Sequence, residues 1–171
     1  MTKPFVAILM GSDSDFPVMQ LTTQVLAEFE IAFEMRVLSA HRTPSQTMAY
    51  VKEAQERGCE VFICAAGLAA HLAGTVAAHT IKPVIGVPLE GGSLQGMDSL
   101  LSTVQMPAGI PVGTVAIGKA GAQNAAFFSA QILALKDATL AARLQKQRVE
   151  NAKKIAAKDE ALQEKLKMAH V

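Results

Sequence analysis

Short apolar runs alternate along the chain with stretches whose apolar residues recur every three or four positions, and each run ends in small or polar residues. Runs of this length predict strands, the spaced stretches predict helices, and their alternation predicts a parallel sheet with helical crossovers. The first run, residues 5–10, stops at Gly11-Ser12-Asp13-Ser14-Asp15. Val18, Leu21, Val25, Leu26 and Phe29 then recur at helical spacing, with Pro17 suited to the first turn. A second strand over 33–38 ends at Ser39-Ala40-His41-Arg42; Thr43 reads as an N-cap, Pro44 as the first helical residue and Gly58 as the close of that helix. The third strand, 61–65, leads through Gly67 into a small-residue helix carrying Ala69, Ala70, Ala73, Ala77 and Ala78. The fourth, 84–87, opens into a Gly-rich stretch over 90–96 before a short helix from about Asp98. The fifth, 112–117, precedes a buried helix over 125–135.

Five β-α steps predict an α/β fold: a three-layer, doubly wound sheet of about five parallel strands, flavodoxin- or Rossmann-like, with ligands bound beyond the carboxyl ends of the strands. Three polar loops fall at that end, and residues 1–135 form the expected catalytic domain. From 136 to 171 the apolar positions thin to Leu140, Leu144, Ile155, Leu162 and Leu166, which predicts a long surface helix. That segment holds nine Lys and Arg against five Asp and Glu, so the residues before it carry net −3 within a total of +1. A basic tail can meet an anionic partner, but a helix that is solvated or clasps another subunit accounts for the pattern better.

Composition narrows the function classes. Half the residues are apolar and 18% charged, which suits a packed interior rather than disorder. A net charge of +1, no Trp and a single Tyr give no reason to expect nucleic acid or an anionic membrane. Two cysteines, Cys59 and Cys64, cannot build a disulfide framework, and Cys64 lies in a strand-like apolar run; a reducing compartment follows. The start of the chain has no basic leader, and no apolar segment approaches the roughly 20 residues needed to span a bilayer. The expected location is the cytoplasm.

Candidate chemistry sits in the three loops. At Gly11 to Asp15, backbone N–H groups and the Ser12 and Ser14 hydroxyls suit a phosphate, while a carboxylate such as Asp15 suits ribose hydroxyls. The same residues also read as an ordinary N-cap built on Asp13 or Asp15, and more weakly as a Mg²⁺ site. In the second loop Arg42 offers a planar fork for phosphate beside Ser39, and His41 is an imidazole that can give or take a proton near neutrality. The plainer alternative makes His41 a loop-satisfying residue and Arg42 a solvated charge. In the third loop Gly67 lets the backbone approach a ligand, and a helix N-terminus presents donors through Ala70. His71, about one turn into that helix, is a secondary site residue; His79 and His170 carry no chemical argument. No zinc-ligand spacing, Gly-x-Gly-x-x-Gly or Walker lysine occurs, so neither metal nor organic cofactor is expected.

These loops, in this order, resemble the N5-carboxyaminoimidazole ribonucleotide mutases of bacterial purine synthesis. The resemblance covers roughly residues 5 to 135. It runs from Ala7-Ile-Leu-Met-Gly-Ser-Asp-Ser-Asp15 through Ser39-Ala-His-Arg-Thr-Pro44, Ala69-Ala-His-Leu72, Pro83-Val-Ile-Gly-Val-Pro88, Met97-Asp-Ser-Leu-Leu101 and Val104-Gln-Met-Pro107. Gly109-Ile-Pro-Val-Gly113, Ala116-Ile-Gly-Lys-Ala-Gly121 and Asn124-Ala-Ala126 extend it. It implies that Ser12, Ser39 and Arg42 hold the phosphate of a ribonucleotide substrate, that Asp15 takes the ribose, and that Gly67 to Ala70 line the carboxylate and ring pocket. His41 is then the general acid/base of a decarboxylation and recarboxylation through a carbon dioxide intermediate. A homo-octamer with sites between subunits is also implied, its tail packing on a neighbour. Leu68 stands where a second Gly is frequent and Ala73 where Pro usually follows His-Leu, so the third loop differs in stiffness from the common pattern. The competing readings are a carboxylase using free carbon dioxide, which tends to carry Lys after Ser-Ala-His, and a non-catalytic nucleotide-sensing domain.

Overall fold

The computed structural model describes residues 4–169. The chain divides between Ile132 and Leu133 into two compact units. In the first, strands β1 (Phe5–Met10), β2 (Ala32–Val37), β3 (Cys59–Gly67), β4 (Val84–Leu89) and β5 (Gly113–Thr114) form one sheet in the order β2-β1-β3-β4-β5. Every pairing is parallel. The apolar runs behave as central strands must when both faces are covered: β1 and β4 are buried throughout, whereas β2, at the edge, is half exposed.

The connections α1 (Phe16–Glu28), α2 (Pro44–Glu56), α3 (Leu72–Ala77), α4 (Met97–Val104) and α5 (Gly118–Ala134) follow from the strand order. The first crossover moves outward to β2 and the later ones move the other way, so right-handedness puts α1 on one face and α2, α3 and α4 on the opposite one; α5 follows the last strand and is placed beside α1 by its contacts. Thr22 of α1 donates to the Ala122 carbonyl of α5 at 2.8 Å, and Phe29 meets Phe127 edge-on with centroids 5.7 Å apart. On the other face Phe5, Ala7, Leu9, Phe62 and Cys64 pack with Tyr50, Val51, Leu72 and Val76. Alternation along the strands turns Val6, Ile8, Val61 and Ile63, all fully buried, the other way.

The edge strand β2 is tied to α2 by side chains. Arg57, just past α2, forms a two-pronged pair with Glu34, and the Tyr50 hydroxyl donates to Glu34 Oε2 at 3.0 Å. Arg57 holds the Glu34 carboxyl below its usual range, and burial, followed by the bond to Glu34, pushes the Tyr50 hydroxyl up. Both cysteines are free and buried; burial raises the Cys59 thiol to about 11 and Cys64 further.

Two expectations need correction. The fifth strand, expected over 112–117, is only Gly113–Thr114, paired with Ile85 and Gly86. One more ladder-like bond, Val115 N–H to the Gly86 carbonyl, follows before the chain turns away. The helix after it begins at Gly118 rather than near 125. Gly118 has φ +71°, and a Cβ on Gly121 would overlap the Ala116 carbonyl oxygen, so these two glycines let the chain turn from strand to helix within a few residues. Apolar periodicity sees only the buried alanines further on.

The second unit is mainly α6 (Ala138–Ala169), capped by Asp137, whose Oδ1 accepts Leu140 N–H at 3.0 Å. Within α6 only Leu140 is buried; Val149, Ile155, Leu162 and Leu166 are exposed. His170 lies outside the described residues. Among the described residues no helix is long and apolar enough to cross a membrane.

Candidate active site

The strand order sets the site. It reverses between β1 and β3, so the carboxyl ends of β2, β1 and β3 stand side by side and their loops are neighbours. The ladder continues past the strands: Leu38 N–H donates to the Met10 carbonyl at 2.8 Å and Gly11 N–H to that of Ala65 at 3.1 Å.

In the first loop Asp15 holds the N-cap position of α1 without a side-chain bond into that helix, and the hydrogen-bonded cap is Ser12, ahead of the 3-10 turn over 13–15. Ser12 is extended, with φ −150°; its hydroxyl accepts Ser14 N–H at 3.3 Å, and Asp15 Oδ2 accepts Ser12 N–H at 3.2 Å, a reciprocal capping box around one 3-10 turn. The Ser14 hydroxyl donates to that of Ser12 at 2.9 Å, which donates to Asp13 Oδ1 at 3.2 Å. Burial raises the Asp15 carboxyl above 3.8 despite the opposing Ser12 N–H bond, and the Asp13 charge adds to the rise.

The second loop is closed by its own side chains. Ser39 N–H donates to Thr43 Oγ1 at 2.9 Å, the Thr43 hydroxyl faces the Ser39 carbonyl at 3.1 Å, and buried Thr47 donates to the Thr43 carbonyl at 2.9 Å. Thr43 occupies the expected N-cap position before Pro44, yet its hydroxyl turns back to Ser39 rather than forward into the helix. Arg42 N–H donates to Ser39 Oγ at 3.1 Å and Arg42 Nη2 to the Gly11 carbonyl at 2.7 Å, so the guanidinium bridges the first two loops.

The third loop leaves β3 at Gly67 and turns through Leu68, a non-glycine residue at φ +56°. His71 N–H donates back to the Ala69 carbonyl at 3.0 Å, and α3 starts only at Leu72; His71 is therefore the N-cap residue rather than one turn into the helix. The left-handed turn at Leu68 consumes residues that alanine content had suggested were helical. The Leu68 side chain lies over the glycines at 91 and 92, and a Cβ on Gly92 would meet its Cδ2. Ala70 and Leu72 are buried, and Ala73 packs near Gly86.

His41 and His71 come together across the second and third loops. Nε2 of His41 lies 2.8 Å from Nδ1 of His71, with the rings near perpendicular at 85° and both exposed. One facing nitrogen must carry the proton and the other a lone pair. The site thus joins an imidazole pair, a guanidinium, a serine-rich turn and a half-buried carboxylate.

The residues that hold these loops include several that periodicity did not mark: Thr47, and Ser99, Ser102 and Thr103 on α4. Ser102 Oγ accepts Ala70 N–H at 3.0 Å, and Ser99 donates to the Leu89 carbonyl at 2.8 Å. Hydroxyls at i, i+3 and i+4 were the available signal. A separate hollow of about 920 Å³ lies near the amino ends of β4 and β5, lined by His79, Ile81, Lys82, Ile110 and Phe128 among others, and contains none of the expected site residues. Among the described residues no three His, Cys, Asp or Glu are grouped to hold a metal ion.

A family model described as AIR carboxylase matches residues 5–154. An N5-carboxyaminoimidazole ribonucleotide mutase of Pyrococcus horikoshii is 48% identical over 162 residues, 95% of this chain and 90% of its own. The mutase of Mycobacterium tuberculosis strain H37Rv is 53% identical over 161 residues, 94% of this chain and 91% of its own. The crystal structure of Treponema denticola PurE superposes with a TM-score of 0.85 at 31% identity, covering 94% of this chain and 99% of that one.

Proposed function

The chain belongs to the AIR carboxylase family, and we propose that it is an N5-carboxyaminoimidazole ribonucleotide mutase of purine biosynthesis in which His41 moves the proton. The observation that carries the acid/base assignment is the 2.8 Å contact between His41 and His71 at the meeting of the loops, beside Arg42. In this reading Ser12, Ser39 and Arg42 hold the phosphate, Asp15 the ribose hydroxyls, and the backbone from Gly67 to Ala70, with His71 and Leu72, lines the carboxylate and ring pocket.

The N–C bond of the carbamate breaks, carbon dioxide leaves, and the nitrogen receives a proton from His41. Carbon 4 of the ring then attacks the retained carbon dioxide, and His41 recovers a proton from that carbon, restoring the aromatic ring. The two proton transfers are opposite, so one imidazole serves both. Carbon dioxide must stay beside the ring, where its effective molarity is high. His41, Arg42 and His71 are exposed on the single chain. A homo-octamer with sites between subunits supplies a cover, with residues 136–171 packing on a neighbour; a single-chain mass in solution would reject this assembly. The cytoplasm is the working compartment.

Assay with the carbamate substrate tests the function. His41→Asn should lower turnover by about 10²–10⁴-fold while leaving substrate binding, and full turnover in that variant overturns the role of His41. Arg42→Ala should weaken substrate affinity by roughly 10–100-fold, through loss of charge-assisted bonds to phosphate; unchanged affinity rejects that role. The second reading, a carboxylase using free carbon dioxide, draws on the family description itself. Labelled bicarbonate decides between them: rapid incorporation into product indicates the carboxylase, and little incorporation the mutase.

A further inference from the structure

The third loop brings His71 to His41, yet little within it explains why it stays there. Leu68 sits in the left-handed region, which is strained for a residue with a Cβ. Its side chain is 55% exposed, so burial offsets only part of that strain. Ala70 is buried and precedes α3, so its N–H has no partner in that helix. Left orphaned, such a buried donor keeps the full cost of its lost hydration.

Ser102 supplies the partner. Its Oγ lies 3.0 Å from Ala70 N and donates its own hydrogen to the Asp98 carbonyl at 2.8 Å, which leaves a lone pair aimed at the loop. The helix that carries it is fixed to the sheet. Ser99 donates to the Leu89 carbonyl, and Thr103 fills the space over Gly86 of β4, where a Cβ would collide with its Cγ2. The Thr103 hydroxyl donates to the Ser99 carbonyl at 2.6 Å. Thus α4 is an anchored bracket whose one bond to a loop N–H is made to the residue immediately before His71.

We propose that Ser102 is a positioning residue of the reaction: by accepting Ala70 N–H it holds the turn that sets His71 against His41. The proposal rests on His41 being the proton-transfer group. Ser102 acts through His71 and touches no reacting atom.

The test uses the full chain with Ser102→Ala and Ser102→Thr, the latter keeping the oxygen. Turnover and KM are measured with the carbamate substrate, together with the imidazole ¹⁵N shifts of His41 and His71 in the free protein. Ser102→Ala should lower kcat about tenfold with KM within about twofold, as a small displacement of a catalytic pair does. The ¹⁵N shifts should lose the signature of the imidazole pair, and Ser102→Thr should restore both readouts. Parent ¹⁵N shifts in Ser102→Ala overturn the proposal, whatever its turnover, because a merely stabilising hydroxyl would leave the pair intact. Altered shifts with parent turnover overturn it as well, because Ser102 would then set the pair without serving the reaction; a failure of the reading of His41 is told apart by the His41→Asn assay. Should Ser102→Ala fail to fold, Ser102→Cys, similar in size but a poorer acceptor, takes its place under the same outcomes.

Discussion

The loops at the tips of β2 and β3 carry the two facing imidazoles but are held in opposite ways. The loop of His41 is closed locally: Ser39, Arg42, Thr43 and Thr47 bond one another within nine residues, and several of those bonds share an end. The loop of His71 is held from a distance, by α4: Ser102, thirty-two residues beyond Ala70, makes the short bond to Ala70 N–H, while its contact with the Leu68 carbonyl at 3.4 Å and that of Thr103 with the Ala70 carbonyl at 3.5 Å are long; the loop also contains a left-handed leucine. A redundant local network should survive the loss of one bond. A remote tie with one short bond, all of it carried by one helix, should not, and anything that moves that helix should move the imidazole.

The most disruptive test of that contrast leaves both loops untouched. Gly86→Ala puts a Cβ into Thr103 Cγ2, against the ridge by which α4 sits on β4. Overpacking of this kind costs about 1–3 kcal/mol. Here α4 must shift and take Ser102 with it. Thermal or denaturant melts should show the destabilisation, and turnover measured well below the transition should fall along with the ¹⁵N signature of the pair. Parent turnover in a folded, destabilised variant would show that the third loop holds itself.

The same contrast explains what could be read before the fold was known. β1, β3 and β4 announce themselves as unbroken apolar runs because both faces are covered, and Thr43-Pro44 marks the start of α2 because capping is local chemistry. Ser12, Asp15, Ser39, His41 and Arg42 were visible for a similar reason: each lies in a polar cluster directly after a strand. His71 was visible as a residue but not as a partner of His41, since their meeting depends on the sheet order. The late start of α3, the brevity of β5 and the early start of α5 turn on Leu68, Gly118 and Gly121, whose backbone angles or close contacts leave no periodic trace. Ser102 was the least visible, because the hydroxyl spacing of Ser99, Ser102 and Thr103 marks a polar face of the helix but not the loop thirty-two residues earlier that it meets.

A smaller effect is expected on the local side. Thr47→Val keeps the β-branched shape and removes the bond from Thr47 Oγ1 to the Thr43 carbonyl. That carbonyl still accepts Thr47 N–H at 3.0 Å, so it is not orphaned, and the loss should be about 1 kcal/mol or less in a melt. Turnover should stay within about threefold of the parent, because the remaining bonds preserve the loop. If Thr47→Val damages turnover more than Ser102→Ala, the distinction between local and remote anchoring is wrong.

The smallest effect belongs to the first loop, which is self-bonded like the second but electrically uneasy. The folded state raises the Asp15 carboxyl above 3.8, chiefly by burial, so it holds a proton more readily than the unfolded chain. Stability is therefore lost as pH rises from the unfolded value through the folded one, and at neutral pH the full penalty of the ionised group is present. Asp15→Asn keeps an oxygen to accept Ser12 N–H and removes the charge. Denaturant midpoints should be slightly higher for the variant at pH 7, with the difference shrinking as pH falls toward 3.8, where the parent carboxyl also loses its charge. Substrate affinity should move the opposite way, because a carboxylate accepts ribose hydroxyls more strongly than an amide. A variant that gains stability without losing affinity would remove Asp15 from the site. It would also make the first loop a purely local cap, closer still in character to the loop of His41.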